Sequence, residues 1–417
     1  MEFRNLTPFH ALCFGALDPA GAEHRVVVMR VTYRLAPGAA PSPGPHLLAV
    51  IDGDSPPLVL ADRYAGDEGC SSPLGESDLA PCKPRCDVIV NGHAYSPGGI
   101  PHHRWPVRLR LAIDAAPLAA PADPTGPPQV LLDKTLIVHG PRRFRRVFGL
   151  IADRWRLESA EPATRVPLAY ELAFGGASRV QDPRTGELLL DEVCFTNPLG
   201  CGWQHKALWP LARRLGRAPP PTLPAPQWEY PEAPLEAMCV TEAPRGPLTP
   251  AQMLAAARAY PVTPAGLGPI GRAWTPRLQR AGTYDQDWLD ARWPGLPDDL
   301  DFGYWNCAPD DQQIPYPPPG LEITLDNLAP PALAPGGQLV LRLPPHRPFV
   351  LVRLTSGVML PLPMLTDTVA IDTDALTVAL VHRTWIRAGT PVRVLEARFE
   401  IDPQAPLITR AGRHQDP

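Results

Sequence analysis

Along much of this chain apolar and polar residues alternate one by one, the spacing of a strand with one buried face. In Val107-Arg108-Leu109-Arg110-Leu111-Ala112-Ile113 the large apolar side chains share one face and the arginines the other. Runs of the same kind, rich in β-branched residues, occur at Arg25 to Leu35, Asp87 to Tyr95, Leu131 to His139, Gln338 to Leu343, Leu376 to Arg383 and Val392 to Glu400. Strands are therefore expected near both ends of the chain. Helix signals are few. Thr249 and Gln252 have the spacing of a capping box, with Pro250 at the first helical position, which predicts a helix through Met253 to Tyr260 that stops at Pro261. A second short helix is expected from Thr283, with Trp288, Leu289 and Arg292 at turn spacing, ended by Trp293-Pro294-Gly295.

Composition sharpens this picture through one residue type. The 58 prolines among 417 residues disfavour helix nearly everywhere, because each removes a backbone donor and costs about 3 kcal/mol inside a helix. Prolines also confine strands to short pieces. The expectation is a mainly β fold, a large multi-strand, sandwich-like scaffold with Pro-rich loops and one or two short helical inserts. Pro37 to Pro45, Ala115 to Pro128 and Arg217 to Pro226 read as linkers, and there is no internal repeat. With 44% hydrophobic and 20% charged residues the chain has what a packed core requires. The expected organisation is a β-rich unit over 1–325 with a C-terminal β segment, 326–417, packed on it.

Charge and cysteine usage narrow the partners. A formal net charge of -4 gives no general attraction to nucleic acid or anionic lipid. The basic run Arg142-Arg143-Phe144-Arg145-Arg146 reads as a solvated loop or a docking rim. Apolar stretches such as Val26-Val27-Val28-Met29 are interrupted long before the roughly 20 residues of a membrane helix, and the first residues carry no export signal. The protein is expected in the cytoplasm, with its eight cysteines as thiols.

No motif assembles a complete reaction centre. Gly75-Glu76-Ser77-Asp78-Leu79 lacks the second glycine of a nucleophile elbow, and Pro81 opposes a helix behind it. Cys82, Cys86 and His93, with His102-His103 nearby, lack the second cysteine pair of a structural zinc site, so no metal is expected. The acidic residues Asp298, Asp299, Asp301, Asp310 and Asp311 read as turn caps. Gly98-Gly99 and Gly175-Gly176 lack the rest of a phosphate cradle. No cofactor is expected.

Several phrases in order resemble one bacterial family, catalogued as domain of unknown function twenty-one sixty-nine and found with type VI secretion genes. They begin with Asn5-Leu6-Thr7-Pro8-Phe9 and Val31-Thr32-Tyr33-Arg34-Leu35. The most characteristic stretch follows: Glu76-Ser77-Asp78-Leu79-Ala80-Pro81-Cys82-Lys83-Pro84, then Asp87 to Ala94 with His93. Further phrases are Pro167 to Gly176, ending in Gly175-Gly176, then Asn197-Pro198-Leu199-Gly200, Pro264 to Pro269, Ala281 to Asp285, and Ala308 to Gln313 with Asp310 and Gln312. The resemblance is firm from residue 1 to about 320 and looser beyond. The chain departs from the family pattern at Gly140-Pro141-Arg142, Leu172 and Cys201.

The resemblance implies an adaptor that binds a secreted effector or a spike-tip protein and loads it onto the secretion spike without being exported itself. The residues suggest where it would bind. Trp274, Arg277, Tyr284, Trp288, Arg292 and Trp293 crowd one region, and aromatic and arginine side chains carry most hot-spot energy at protein interfaces. Two other readings stay open: a hydrolase built on Ser77, Asp78 and His93, and a structural component of the secretion machine.

Overall fold

The computed structural model describes residues 1–35, 46–50, 55–113, 128–148, 154–242, 248–258, 260, 262–275 and 277–407. Its largest element is a twelve-stranded sheet. In spatial order it runs Trp228–Glu229, Gln129–His139, Arg104–Ile113, Leu321–Asp326, Gln338–Arg342, His46–Val50, Glu23–Leu35, Thr377–Arg387, Leu365–Asp372, Cys86–Asn91 and Gln313–Ile314, with His10–Leu17 also paired to Glu23–Leu35. A second sheet of four strands is ordered Glu2–Asn5, Val392–Glu400, Arg347–Leu354 and Met359–Pro363. The apolar faces of the two sheets meet in one core that joins Val27, Met29, Val31 and Leu380 to Val350, Val352, Leu395 and Ala397. The protein is thus a β-rich scaffold, as the alternating pattern predicts. Both sheets draw strands from before and after residue 325.

Local chemistry explains the element boundaries. In Arg104–Ile113 the side chains of Trp105, Val107, Leu109 and Leu111 are buried, while Arg104, Pro106, Arg108 and Arg110 between them are not. The expected strand Asp87 to Tyr95 is split into Cys86–Asn91 and His93–Tyr95 at Gly92. There φ is +112° and a Cβ would lie 2.3 Å from Thr373 Oγ1, so only glycine fits. The expected capping box is present: Gln252 N donates to Thr249 Oγ1 at 3.3 Å and Thr249 N to Gln252 Oε1 at 2.9 Å, opening the helix Pro250–Arg258. The predicted stop at Pro261 and the linker Pro37 to Pro45 lie outside the described residues, as does nearly all of Ala115 to Pro128.

Two expectations need correction. Arg217 to Pro226 is not merely a linker, since Thr222–Pro224 pairs antiparallel with Arg143–Val147. That pairing also turns most of the basic run into a strand, with Arg145 bound to Glu158 at 2.5 Å. A further helix, Leu208–Arg214, has no counterpart in the sequence reading; its Pro210 falls in the first turn, where a missing N–H costs no helical hydrogen bond.

The back of the large sheet is closed by the segment from Glu76 to Asp87, and long polar side chains fasten it strand by strand. Arg30 Nη1 of Glu23–Leu35 reaches both carboxylate oxygens of Asp78 at 3.2 Å. Arg383 of Thr377–Arg387 donates to Ala80 O at 2.5 Å and pairs with Asp367, also at 2.5 Å. Trp385 Nε1 donates to Pro81 O at 2.7 Å. Lys83 Nζ reaches Thr368 Oγ1 and Asp87 Oδ2, each at 2.9 Å. Asp87 also accepts from Asn306 Nδ2 and from the backbone N–H groups of Cys307 and Ala308 at 3.0–3.1 Å. Burial opposes ionisation at Asp87, but the Lys83 ammonium and these donors outweigh it and hold its pKa below the ordinary value.

Removing one partner of such a pair leaves a charge buried alone. Asp87→Asn is therefore expected to destabilise the fold by about 3–5 kcal/mol in urea unfolding, and a loss below about 1 kcal/mol would show the pair to be dispensable. A second pair sets a pH dependence. Glu229 accepts from His139 Nε2 and Leu235 N at 2.7 Å and from Arg142. Burial alone would raise its pKa, but these donors bring it from 4.5 to about 2. A depressed carboxylate contributes stability above its unfolded pKa and loses it as pH falls through its folded one. The urea midpoint of the native protein is expected to fall more steeply between pH 4.5 and 2 than that of Glu229→Gln. Parallel curves would remove the pair from the acid response.

Candidate functional site

The aromatic and arginine residues singled out in the sequence divide into an exposed corner and a buried root. The corner begins at Gly282, whose φ of +80° turns the chain close against Pro297 and Leu300. Thr283 then fixes its base, donating through N and Oγ1 to Asp299 at 2.9 and 2.7 Å. Asp285 caps the short helix Gln286–Ala291 by accepting from Trp288 N at 3.0 Å, so the expected helix is present but starts later than Thr283. Trp288 Nε1 donates to Gly295 O at 3.0 Å, and Trp293 N to Trp288 O at 3.1 Å, folding the return strand of the corner onto the indole.

Three rings stack edge to face in sequence. Tyr284 and Trp288 have centroids 4.8 Å apart, and Trp288 and Trp293 5.6 Å apart. Trp293 is 66% exposed, Tyr284 57% and Leu289 49%. Arg292 beside them is exposed and pairs with Asp298. Leu289 was part of the helix signal but not of the expected contact set; a Trp-Leu pair flanked by Asp287 and Asp290 on so short a helix was the available clue.

Trp274 and Arg277 are not surface residues, contrary to the sequence expectation: they are 7% and 1% exposed. Trp274 packs edge to face on Tyr170. Arg277 pairs with Glu76 and donates to Ile270 O at 2.6 Å and Tyr304 O at 2.7 Å. Arg272 bridges Glu76 at 3.3 Å and Asp62 at 2.8 Å. The root of the corner is thus tied to the same Glu76–Asp87 segment that closes the sheet.

The other motif residues hold the fold in place. Gln312 donates to Val88 O and Leu267 O and accepts from Lys134 Nζ, all within 2.9 Å. A Cβ at Gly175 would lie 2.1 Å from Asn197 O, and one at Gly176 2.8 Å from Gly200 O. Asp310 receives Arg280 at 3.3 Å.

Ser77, Asp78 and His93 each bond elsewhere. Ser77 Oγ donates to Leu60 O at 3.0 Å, Asp78 pairs with Arg30, and His93 Nδ1 lies 2.7 Å from Asp374 Oδ2. Among the described residues no hydrogen bond joins these three. Burial pushes the Cys82 thiol up to about 11 and the Cys201 thiol to about 12, away from a reactive thiolate. No group of three or more His, Cys, Asp or Glu among the described residues is placed to hold a metal ion, and none of their helices is long and apolar enough to cross a membrane.

The division between corner and root has a measurable signature. Arg277→Ala, which leaves Glu76 to Arg272 alone and removes the donor to Ile270 O and Tyr304 O, is expected to cost about 3–5 kcal/mol of stability, whereas Trp293→Ala is expected to cost about 1 kcal/mol or less. Equal losses in urea titrations would mean that the corner is part of the core.

No curated protein and no solved structure matches this chain. The sequence model of one bacterial family matches residues 20–383, so it takes in the motif segment, the root, the corner, the central strand Leu365–Asp372 and the first part of Thr377–Arg387. The chain belongs to that family, described as an uncharacterized protein conserved in bacteria (DUF2169).

Proposed function

We propose that this protein is a non-catalytic cytoplasmic adaptor that docks a partner protein through the corner at residues 283–301. The observation that carries the reading is the edge-to-face array Tyr284–Trp288–Trp293, exposed at Tyr284 and Trp293 and held by the Asp285 cap and the Thr283–Asp299 clamp. Large rings fixed before contact lose little conformational entropy on binding, so more of their buried area appears as affinity. Arg292 at the same edge adds a planar donor for a carboxylate or carbonyl of the partner. The partner proposed, on the resemblance set out from the sequence, is a secreted effector or spike-tip protein of a type VI secretion system. In this reading the motif segment gives the corner a rigid base and does no chemistry.

The test is co-purification of the tagged protein with the products of its neighbouring genes, repeated with Trp288→Ala/Arg292→Ala and, separately, with Leu289→Ala/Trp293→Ala. The native protein is expected to retain an effector or spike-tip protein. Each double variant, folded by circular dichroism, is expected to lose affinity by about thirtyfold or more, the scale of a hot spot. Retention at native affinity by both variants would move the docking surface elsewhere, and recovery of no neighbouring product would set the adaptor reading aside.

A further inference from the structure

A well-formed cavity lies at the junction of the two sheets and has no part in the corner. Its volume is about 400 Å³, within the range of small-molecule sites. The wall is mostly apolar: the run Pro317–Pro319, Leu321, Leu343 and Phe349 on one side, Met364, Leu365 and Leu380 on the other. Prolines make such a wall stiff, so the space does not depend on side chains that collapse easily.

Its polar groups are few and incompletely satisfied. His382 is 3% exposed; its Nδ1 lies 3.1 Å from Thr366 Oγ1, and its Nε2 has no hydrogen-bond partner. Burial lowers its pKa to about 4, so the imidazole is neutral at ordinary pH. Tyr33 Oη is 3.2 Å from His346 Nδ1. Arg347 is the one lining residue charged at neutral pH. Its Nη2 donates to the carbonyls of Asp402 and Ala405 at 2.9 and 2.6 Å, while its Nε is buried without a partner. Among the described residues no carboxylate pairs with it, whereas Arg30, Arg277, Arg353 and Arg383 all have one.

A half-buried guanidinium without a counter-ion and a buried imidazole nitrogen without a partner both carry a desolvation cost that a ligand of complementary chemistry would relieve. We propose that this cavity binds a small monocarboxylate with an apolar body, its carboxylate on Arg347, its body against the proline and leucine wall, and a hydroxyl or carbonyl on that body within reach of His382. The site is independent of the docking corner and would let the scaffold respond to a metabolite.

Octanoate is a suitable probe, titrated calorimetrically into the full chain beside octylamine and 1-octanol. Saturable binding of one octanoate is expected, with octylamine failing to bind. Arg347→Gln is expected to weaken octanoate by about tenfold or more while leaving 1-octanol unchanged, since only the charge-assisted bond is lost. Leu365→Trp, on the partly exposed rim, is expected to abolish binding of both with the melting temperature retained. Equal affinities for octanoate and octylamine, or octanoate binding insensitive to both substitutions, would overturn the proposal. So would failure of octanoate where a short peptide with a free C-terminal leucine binds, since the site would then read a polypeptide end.

Discussion

The fold depends on charges buried behind its central sheet, each of which must meet its partner before the sheet can be covered. Arg30, Lys83 and Arg383 project from or against three neighbouring strands, and the stretch from Asp78 to Asp87, with Asp367, supplies the oxygens that receive them. An ammonium or guanidinium taken from water without such a receiver costs more than several apolar contacts return. The pairing therefore acts mainly as selection. A strand shifted by one residue would turn Arg30 or Arg383 into the apolar layer on the other face, so the polar layer helps to specify register.

This layer also ties the aromatic corner and the cavity to one frame. Glu76 stands at the start of the covering segment and receives Arg277 and Arg272, from which the chain proceeds to the aromatic corner. The rings are presented from a base anchored to the sheet, and the corner itself is closed by local bonds between Thr283 and Asp299 and between Trp288 and Gly295. A corner of this kind can change its side chains without disturbing the core that carries it. The cavity between the sheets lies on the opposite, apolar face of the same central strands, through Tyr33, Leu380 and His382.

Much of the scaffold was legible because alternation in a strand reports directly which face is buried. Arg104–Ile113 follows it from Arg104 to Leu111. The helix at Pro250 was legible because its cap is local chemistry. The partition of the aromatic region was not, since Trp274 and Trp293 look alike in sequence and their burial is set by Tyr170 in one case and by open solvent in the other. Arg30 and Arg383 left a fainter signal, a charge inside an apolar run, which marks a buried pair only when its partner is known. Their partners lie 48 and 16 residues away. The cavity had no local signature because its wall is assembled from six separate stretches of chain.

The order of the central strands has a consequence for how the molecule is made. Glu23–Leu35 pairs along most of its length with Thr377–Arg387, which is synthesised more than three hundred residues later. Until that late strand leaves the ribosome, the apolar run Val26–Val31 has one edge open and one face uncovered, and covering it requires closing a loop of more than three hundred residues. Non-local pairings of this sort fold slowly and leave sticky intermediates. Heterologous production is thus governed less by final stability than by how long the nascent chain is shielded, and slower translation at low temperature together with abundant holdase favours the native sheet over aggregation.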